Sequence, residues 1–308
     1  MQEAIIIKSV ADIGRYFNKP ERAAYLFILP AFSIMTVFLF VPLIMAVGIS
    51  CFNINIFLTN IKFSGLSNYA QILQDARFLN ALKNTLYFTF LEMPIHVALG
   101  LLVAVYVSKN MRFRRFLRSV YYVPTVCSMT AVGIVWTFLL DPQIGLYTYY
   151  SSLFGLPNLG FLKDPAMAMP TVVLLTVWKN FGSTMVVLTG GILSISQSYY
   201  EAAEIDGAGA VAKFFKVTLP MLVPTLGFCV ITNTMANIQV FDQIYIMTQG
   251  GPLYRTETAV AYIYKVGFQR SPMDLGYASA LAVVLSLMIG VIALTMNRYF
   301  LQKEPDAV

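Results

Sequence analysis

A chain of 308 residues that is 58% hydrophobic and 12% charged cannot solvate an ordinary soluble surface, since average soluble domains carry about 25% charged residues. With a mean hydropathy of +0.69, composition alone indicates a membrane class. The formal net charge of +6 would suit nucleic acid, but the basic residues are scattered between apolar segments rather than gathered on one soluble face.

In chain order, residues 1–22 are polar and contain Lys8, Arg15, Lys19 and Arg22. They are too long and too mixed for the charged start of a cleaved signal peptide. The apolar run from Ala23 to about Ile49 also exceeds a signal-peptide core, so it is expected to stay as a membrane span. Further spans are expected from about Asn84 to Val107, Ser119 to Leu140, Met167 to Leu193, Met221 to Phe241 and Leu275 to Met296. Each is long enough to cross a hydrocarbon core of about 30 Å. Prolines 30, 42, 94, 124 and 170 suggest kinks within these spans. Cys51, Cys127 and Cys229 lie in or beside apolar runs, which gives no disulfide framework and favours small buried apolar roles. The expected organisation is an N-terminal segment 1–22, a six-helix membrane domain 23–300 with a polar loop at about 194–220, and a tail 301–308.

Lysine and arginine counts orient the spans. With the N-terminus inside, the cytoplasmic segments hold thirteen basic residues and the opposite segments six, leaving Lys83 at a border and Lys179 within a span. The positive-inside rule therefore places both termini and the polar loop in the cytoplasm.

That loop, Glu201 to Pro224, is the most polar run in the second half of the chain. Tyr200 to Ile205 predicts a short helix, with Ala202 and Ala203 as strong helix formers and Glu201, Glu204 and Asp206 supplying carboxylates for its first turns. Gly207 and Gly209 allow a sharp turn. Helix is expected to resume from Val211 to Val217, and Pro220 and Pro224 mark where the next apolar segment starts or kinks.

No phosphate-binding loop occurs, since Gly207 through Lys213 has the wrong spacing and no hydroxyl residue after the lysine. One histidine and no Cys-x-x-Cys support neither a metal site nor a hydrolytic dyad. The chain is expected to be non-catalytic.

Glu201-Ala202-Ala203, Asp206-Gly207-Ala208 and Leu219-Pro220, in this order, resemble the EAA loop of permease subunits of binding-protein-dependent ABC importers. Phe63 through Tyr69, Asn84-Thr85, Tyr122-Val123-Pro124, Asp141-Pro142 with Gly145, and Gly250-Gly251-Pro252 are similar to short motifs of its sugar permeases. The resemblance extends to the larger membrane subunit of the maltose importer, although this chain has no large inserted external domain. It implies an all-α membrane protein with the six-helix type I importer permease fold and a cytoplasmic coupling helix. It also implies a second permease subunit in a heterodimer, two ATPase subunits that bind ATP and Mg, and an external solute-binding protein. This chain would hold no cofactor. The localisation implied is a bacterial or archaeal inner membrane, and the ATPase-coupling residues would be the eight quoted for the EAA loop.

Polar residues inside spans tend to face the bundle interior or a water-filled path. Asn233 and Asn237 are four apart on one helical face, as are Tyr121 and Thr125, while Thr176, Trp178 and Asn180 cluster in the fourth span. By motif alignment these positions resemble sugar-contacting ones in the maltose importer's larger permease subunit. Interhelical hydrogen bonding is the competing account. Glu92 and His96, also four apart, are placed to pair, and a proton relay is the weaker alternative for them. Lys179 is expected either to line the path or to pair with an acid from another helix. The solute implied is a sugar or oligosaccharide, with a glycerophosphate as the alternative. A secondary transporter would show internal repeats over more spans, and a scaffold protein would need no coupling loop.

Overall fold

The computed structural model describes residues 20–55, 57, 61–109 and 112–301. Most of the basic N-terminal segment, including Lys8, Arg15 and Lys19, and the tail beyond residue 301 lie outside the described residues. The first span is α1 (Pro20–Met35), a π-helical turn at Thr36–Phe40, and α2 (Val41–Ile49). A two-stranded antiparallel hairpin follows, β1 (Phe52–Asn53) with β2 (Lys62–Phe63), pairing Phe52 with Phe63. After the short α3 (Ser67–Ile72) comes the long α4 (Ala76–Ser108).

Two of the remaining spans are broken. Helices α5 (Arg114–Val126) and α6 (Met129–Leu139) meet at 90°. Pro124 cannot donate to the carbonyl four residues back, and Cys127 and Ser128 then adopt extended backbone, so the helix ends inside an apolar stretch. After α7 (Leu146–Leu153), α8 (Ala168–Ser194) runs unbroken. The loop helix α9 (Gln197–Ile205) leads to α10 (Ala210–Lys213), a π turn at Phe214–Thr218 and α11 (Leu219–Met221). A 66° bend, with Pro224 in the first turn beyond it, separates this segment from α12 (Val223–Ile238). The chain closes with α13 (Asp242–Met247), α14 (Ala259–Tyr264), a π turn at Lys265–Gln269 and α15 (Leu275–Leu301). Among the described residues, four helices are long and apolar enough to span alone, and counting each bent pair as one span gives six.

Helix α8 is the axis of the bundle. Two thirds of its apolar window is buried, against one third for α4 and none of Phe27–Ile49. Its upper residues Val172, Val173 and Val177 pack with Phe88 and Ile244, and its lower residues Met185 and Leu188 pack with Ala104, Val107 and Leu222. Gly100 permits the close α4–α8 approach, because a Cβ there would fall 3.1 Å from the Thr184 Cβ. The apolar side chains left outside, such as Phe27, Ile44 and Leu287, form the surface that lipid or a partner chain covers.

Two expectations need correction. The second span starts at Ala76, not Asn84, because Asp75 caps it by accepting from the backbone N–H groups of Arg77 and Phe78 at 3.0 and 3.1 Å. Lys83 and Asn84-Thr85 are therefore inside a helix rather than at its border.

Candidate functional site

The polar loop forms a defined cap at one end of the bundle. Ser196 caps α9 by accepting from the Ser198 N–H at 3.4 Å. The helix starts earlier than the sequence suggests, so Glu201 is mid-helix and Asp206 is its C-terminal cap rather than part of its first turn. Gly207 has φ +77°, the Gly207 N–H donates to Glu204 O at 3.0 Å, and the Ala208 N–H donates to Ala203 O at 2.8 Å. Those two bonds close the helix with a reversal that needs the left-handed conformation. Gly209, by contrast, is an extended residue at the start of α10. Lys213 pairs with Glu204, and Tyr200 Oη bonds Thr218 Oγ1 at 3.0 Å, tying α9 to the returning segment. Glu201, Ala202, Ile205 and Pro220 remain exposed, with Ala203, Ala208 and Leu219 half-buried.

The two asparagines of α12 come together with residues that the sequence had set apart. Asn237 is buried and its amide lies 2.5 Å from Glu92 Oε2 and 3.0 Å from Asn233 Oδ1. Asn233 is half-buried, its amide 3.1 Å from His96 Nδ1. The same nitrogen is 2.8 Å from Glu92 Oε1, and His96 Nε2 is 3.0 Å from Thr184 Oγ1. One polar cluster thus joins α4, α8 and α12 in the middle of the apolar bundle. Interhelical bonding is present, and Asn233 stays partly open.

The other path candidates stand at the α5–α6 break. Thr125 Oγ1 donates to Lys179 O at 3.0 Å, and Lys179 Nζ donates in return to Thr125 O and Asn180 Oδ1, each at 3.3 Å. Tyr121 meets Phe181 edge-on at 6.0 Å, and Trp178, partly exposed, meets Trp136 edge-on at 5.5 Å. Thr176 is buried and spends its hydroxyl on Val172 O at 2.8 Å, so its side chain faces packing. Lys179 has no carboxylate partner among the described residues. Its ammonium instead answers a carbonyl orphaned where α5 stops, at the negative end of that helix dipole. Lys179→Met is therefore expected to loosen the break. Lys179→Met should lower the midpoint of thermal unfolding by several degrees; an unchanged midpoint would leave this contact without energetic weight.

At the end of the bundle away from α9 lies a charged cluster that sequence reasoning missed. Glu257 is fully buried and receives Arg77 through two of its guanidinium nitrogens, Nε to Oε2 at 2.8 Å and Nη2 to Oε1 at 2.9 Å, while Lys265 Nζ donates to Oε1 at 2.9 Å. Burial alone would raise the Glu257 carboxyl, but the Arg77 and Lys265 bonds overcome it and hold Glu257 below the usual carboxylate range. Asp75 likewise resists burial through hydrogen bonds from Tyr262 at 2.7 Å, Tyr277 at 2.8 Å and its two capped N–H groups, and stays below that range. Two of the short motifs meet here. Asn84 Nδ2 donates to Tyr254 O at 2.8 Å and Glu257 O at 3.0 Å, and Ala259 N donates to Thr85 Oγ1 at 2.9 Å, so the second span holds the loop that follows Gly250-Gly251-Pro252.

Residues 96–304 match the family of binding-protein-dependent transport system inner membrane components. The chain belongs to that family. This permease is 31% identical over 290 residues to the lactose transport system permease protein LacF of Rhizobium radiobacter, covering 92% of this chain and 95% of the relative. It is 32% identical over 286 residues to the sn-glycerol-3-phosphate transport system permease protein UgpA of Agrobacterium fabrum, covering 91% and 94%. A chain in a crystal structure of a bacterial ABC transporter involved in the import of the acidic polysaccharide alginate has the same fold. Its TM-score is 0.78 at 25% identity, over 96% of this permease and 99% of that chain. The six-span count with two bent spans is therefore the type I ABC importer permease fold, and this is a membrane protein.

Proposed function

We propose that this permease lines half of the path of an ATP-driven importer for a sugar or oligosaccharide. An external solute-binding protein delivers the solute, and alternating access releases it into the cytoplasm. Two separate ATPase subunits bind ATP and Mg and hydrolyse the nucleotide, and a second, different permease chain completes the path. The observation that carries this reading is the closed α9–Gly207 turn, which presents Glu201, Ala202 and Ile205 as an exposed face at one end of the bundle. Such a rigid, outward-facing helix suits docking in a cleft of an ATPase, so that closure of the nucleotide site moves the spans. Asn233, Trp178, Asn180, Tyr121 and Thr125 supply the amides, hydroxyls and aromatic faces that sugar hydroxyls and ring faces engage.

The basic-residue asymmetry supports a cytoplasmic position for α9 and both termini. A cysteine at Ser198, with Cys51, Cys127 and Cys229 replaced, is expected to resist an impermeant thiol reagent in intact cells and to react once the membrane is opened. Ready labelling in intact cells would reverse the orientation. A glycerophosphate is the second reading, favoured by the name of the Agrobacterium fabrum relative and by Lys179, which has no carboxylate partner among the described residues. Uptake into vesicles holding the reconstituted complex, with a neutral oligosaccharide in one arm and glycerol 3-phosphate in the other, separates the two.

A further inference from the structure

Four aromatic rings line up at the end of the bundle away from α9, just past the helix that carries Asn233 and Asn237. Phe241, three residues beyond the end of α12, stacks on Tyr245 at 5.2 Å with 22° between the planes. Tyr264 meets Phe241 at 5.2 Å and Tyr245 at 5.5 Å, and Phe268 lies 5.5 Å from Tyr264. Lys265, next to Tyr264 in the chain, pairs with Glu257 and so fixes the rings beside that cluster. Phe241 also packs on the apolar cluster that Trp136 joins, and Trp136 meets Trp178. The rings therefore continue inward to the residues at the α5–α6 break.

Packing alone does not account for this ladder. Rings recruited to a core lose nearly all their surface, as Phe78 and Tyr262 do at 1% each. Phe241, Tyr245 and Tyr264 stay half-buried, and Phe268 is 48% exposed. A belt facing lipid does not account for it either. Gln239, Asp242 and Gln269 beside the rings are exposed, and Asp242 has no ion pair among the described residues. An ionisable side chain faces a water-filled cavity rather than acyl chains.

The polar rim discriminates between solutes. Gln239 Nε2 donates to Met235 O at 3.1 Å, which fixes the amide and leaves Oε1 open. Gln269 Nε2 donates to Tyr245 Oη at 3.2 Å and leaves a second carbonyl oxygen open. Asp242 adds a carboxyl group. The nearby cations are engaged elsewhere: Lys265 donates to Glu257 and Gln249 O, and Arg270 lines the cavity it shares with Asp75 and Tyr277. Acceptors without a free cation suit the hydroxyl donors of a neutral sugar and disfavour a phosphate. Open ring faces suit the C–H face of a pyranose.

We propose that Phe241, Tyr245, Tyr264 and Phe268 form an outer saccharide subsite, which stacks the neutral pyranose rings of an entering oligosaccharide. This rests on the reading of the permease as part of a sugar importer. Several ring faces in a row give a chain more to stack on than a single sugar, so the subsite favours longer saccharides.

Saturation-transfer NMR on the purified complex without its external binding protein, irradiating aromatic protons, compares glucose, lactose and maltotriose with glycerol 3-phosphate. The native complex should transfer most to maltotriose and least to glycerol 3-phosphate. Phe268→Leu and Tyr264→Leu keep apolar bulk without a flat ring face. Each should weaken maltotriose binding about fivefold and flatten its advantage over glucose. If Tyr264→Leu does not assemble, Phe268→Leu, at the open end of the ladder, still decides. Unchanged maltotriose binding would overturn the subsite and leave the sugar reading standing. No transfer to any of the three sugars from the native complex would also overturn it, and the vesicle uptake assay then tells whether the sugar reading falls too. Phe268→Cys, with Cys51, Cys127 and Cys229 replaced, should react with an impermeant thiol reagent in intact cells. No reaction would mean that lipid or the second permease chain covers the ladder, which would equally overturn the assignment.

Discussion

Glu257→Leu is expected to deplete folded protein from the membrane rather than to slow transport in protein that remains. The carboxylate is fully buried and neutralises two cations drawn from distant parts of the chain, Arg77 at the start of α4 and Lys265 after α14. Removing the buried carboxylate leaves Arg77 and Lys265, each partly exposed, without their counter-ion, a loss below the roughly 3–5 kcal/mol of breaking a fully buried pair. The surrounding loop adds to the effect, because Gln249, Leu253 and Tyr254 all sit at positive φ. Such backbone persists only while its surroundings over-determine it, and Lys265 Nζ, which donates to Gln249 O at 2.7 Å, is one of the groups that hold it. Glu257→Gln should be milder, since it keeps the volume and an acceptor for Arg77. The pH dependence follows from the depressed carboxyl. A group whose folded pKa is lowered stabilises above its unfolded pKa and loses that contribution as pH falls through the folded value. Native protein should therefore hold its thermal midpoint at neutral pH and lose it below the ordinary carboxylate range, with Glu257→Gln losing less. Equal yields and midpoints for native and leucine forms would show that the cluster does not stabilise this end of the bundle.

Hydropathy made the spans legible because each crosses the membrane as one apolar run, and proline placed the two breaks near Pro124 and Pro224. It misjudged the start of α4, since eight residues of mixed polarity from Ala76 are helical on the strength of the Asp75 cap and the Glu257 cluster, not of apolar length. The Asn233–Asn237 face was readable from a spacing of four. Its partners were not, because Glu92 lies 145 residues from Asn237 and His96 lies 137 from Asn233, a pairing that only helix packing creates. Lys179 shows the same limit. A lone cation in a span reads as half of an ion pair, yet its partner is a backbone carbonyl freed by a helix break. Glu257 gave no signal at all, as an acid in a loop ordinarily faces water.

Gly207→Val is expected to abolish coupled transport while leaving the apolar bundle in place. A Cβ at this position would meet no atom within 4 Å, so crowding is not the difficulty. The difficulty is φ +77°, a conformation that a β-branched residue adopts at a strain of about 1–3 kcal/mol. Relief of that strain means opening the two hydrogen bonds to Glu204 and Ala203 that end α9, which changes the angle between α9 and the segment leading to Pro220. Asparagine tolerates left-handed backbone better than other residues with a side chain. Gly207→Asn should therefore recover much of the transport that valine loses, and this graded pair tests the conformation rather than the glycine. Glu201→Lys probes the other half of the argument. Glu201 is exposed and has no ion pair or side-chain hydrogen bond among the described residues, unlike Glu204, which is held by Lys213. Reversing its charge disturbs nothing within the chain and acts through whatever docks on α9. On the proposed assembly, retention of the ATPase on purified complexes should fall in both the valine and the lysine variants, while solute binding to the external protein stays at its native level. Native transport and full ATPase retention in both would reduce this loop to a connector between spans.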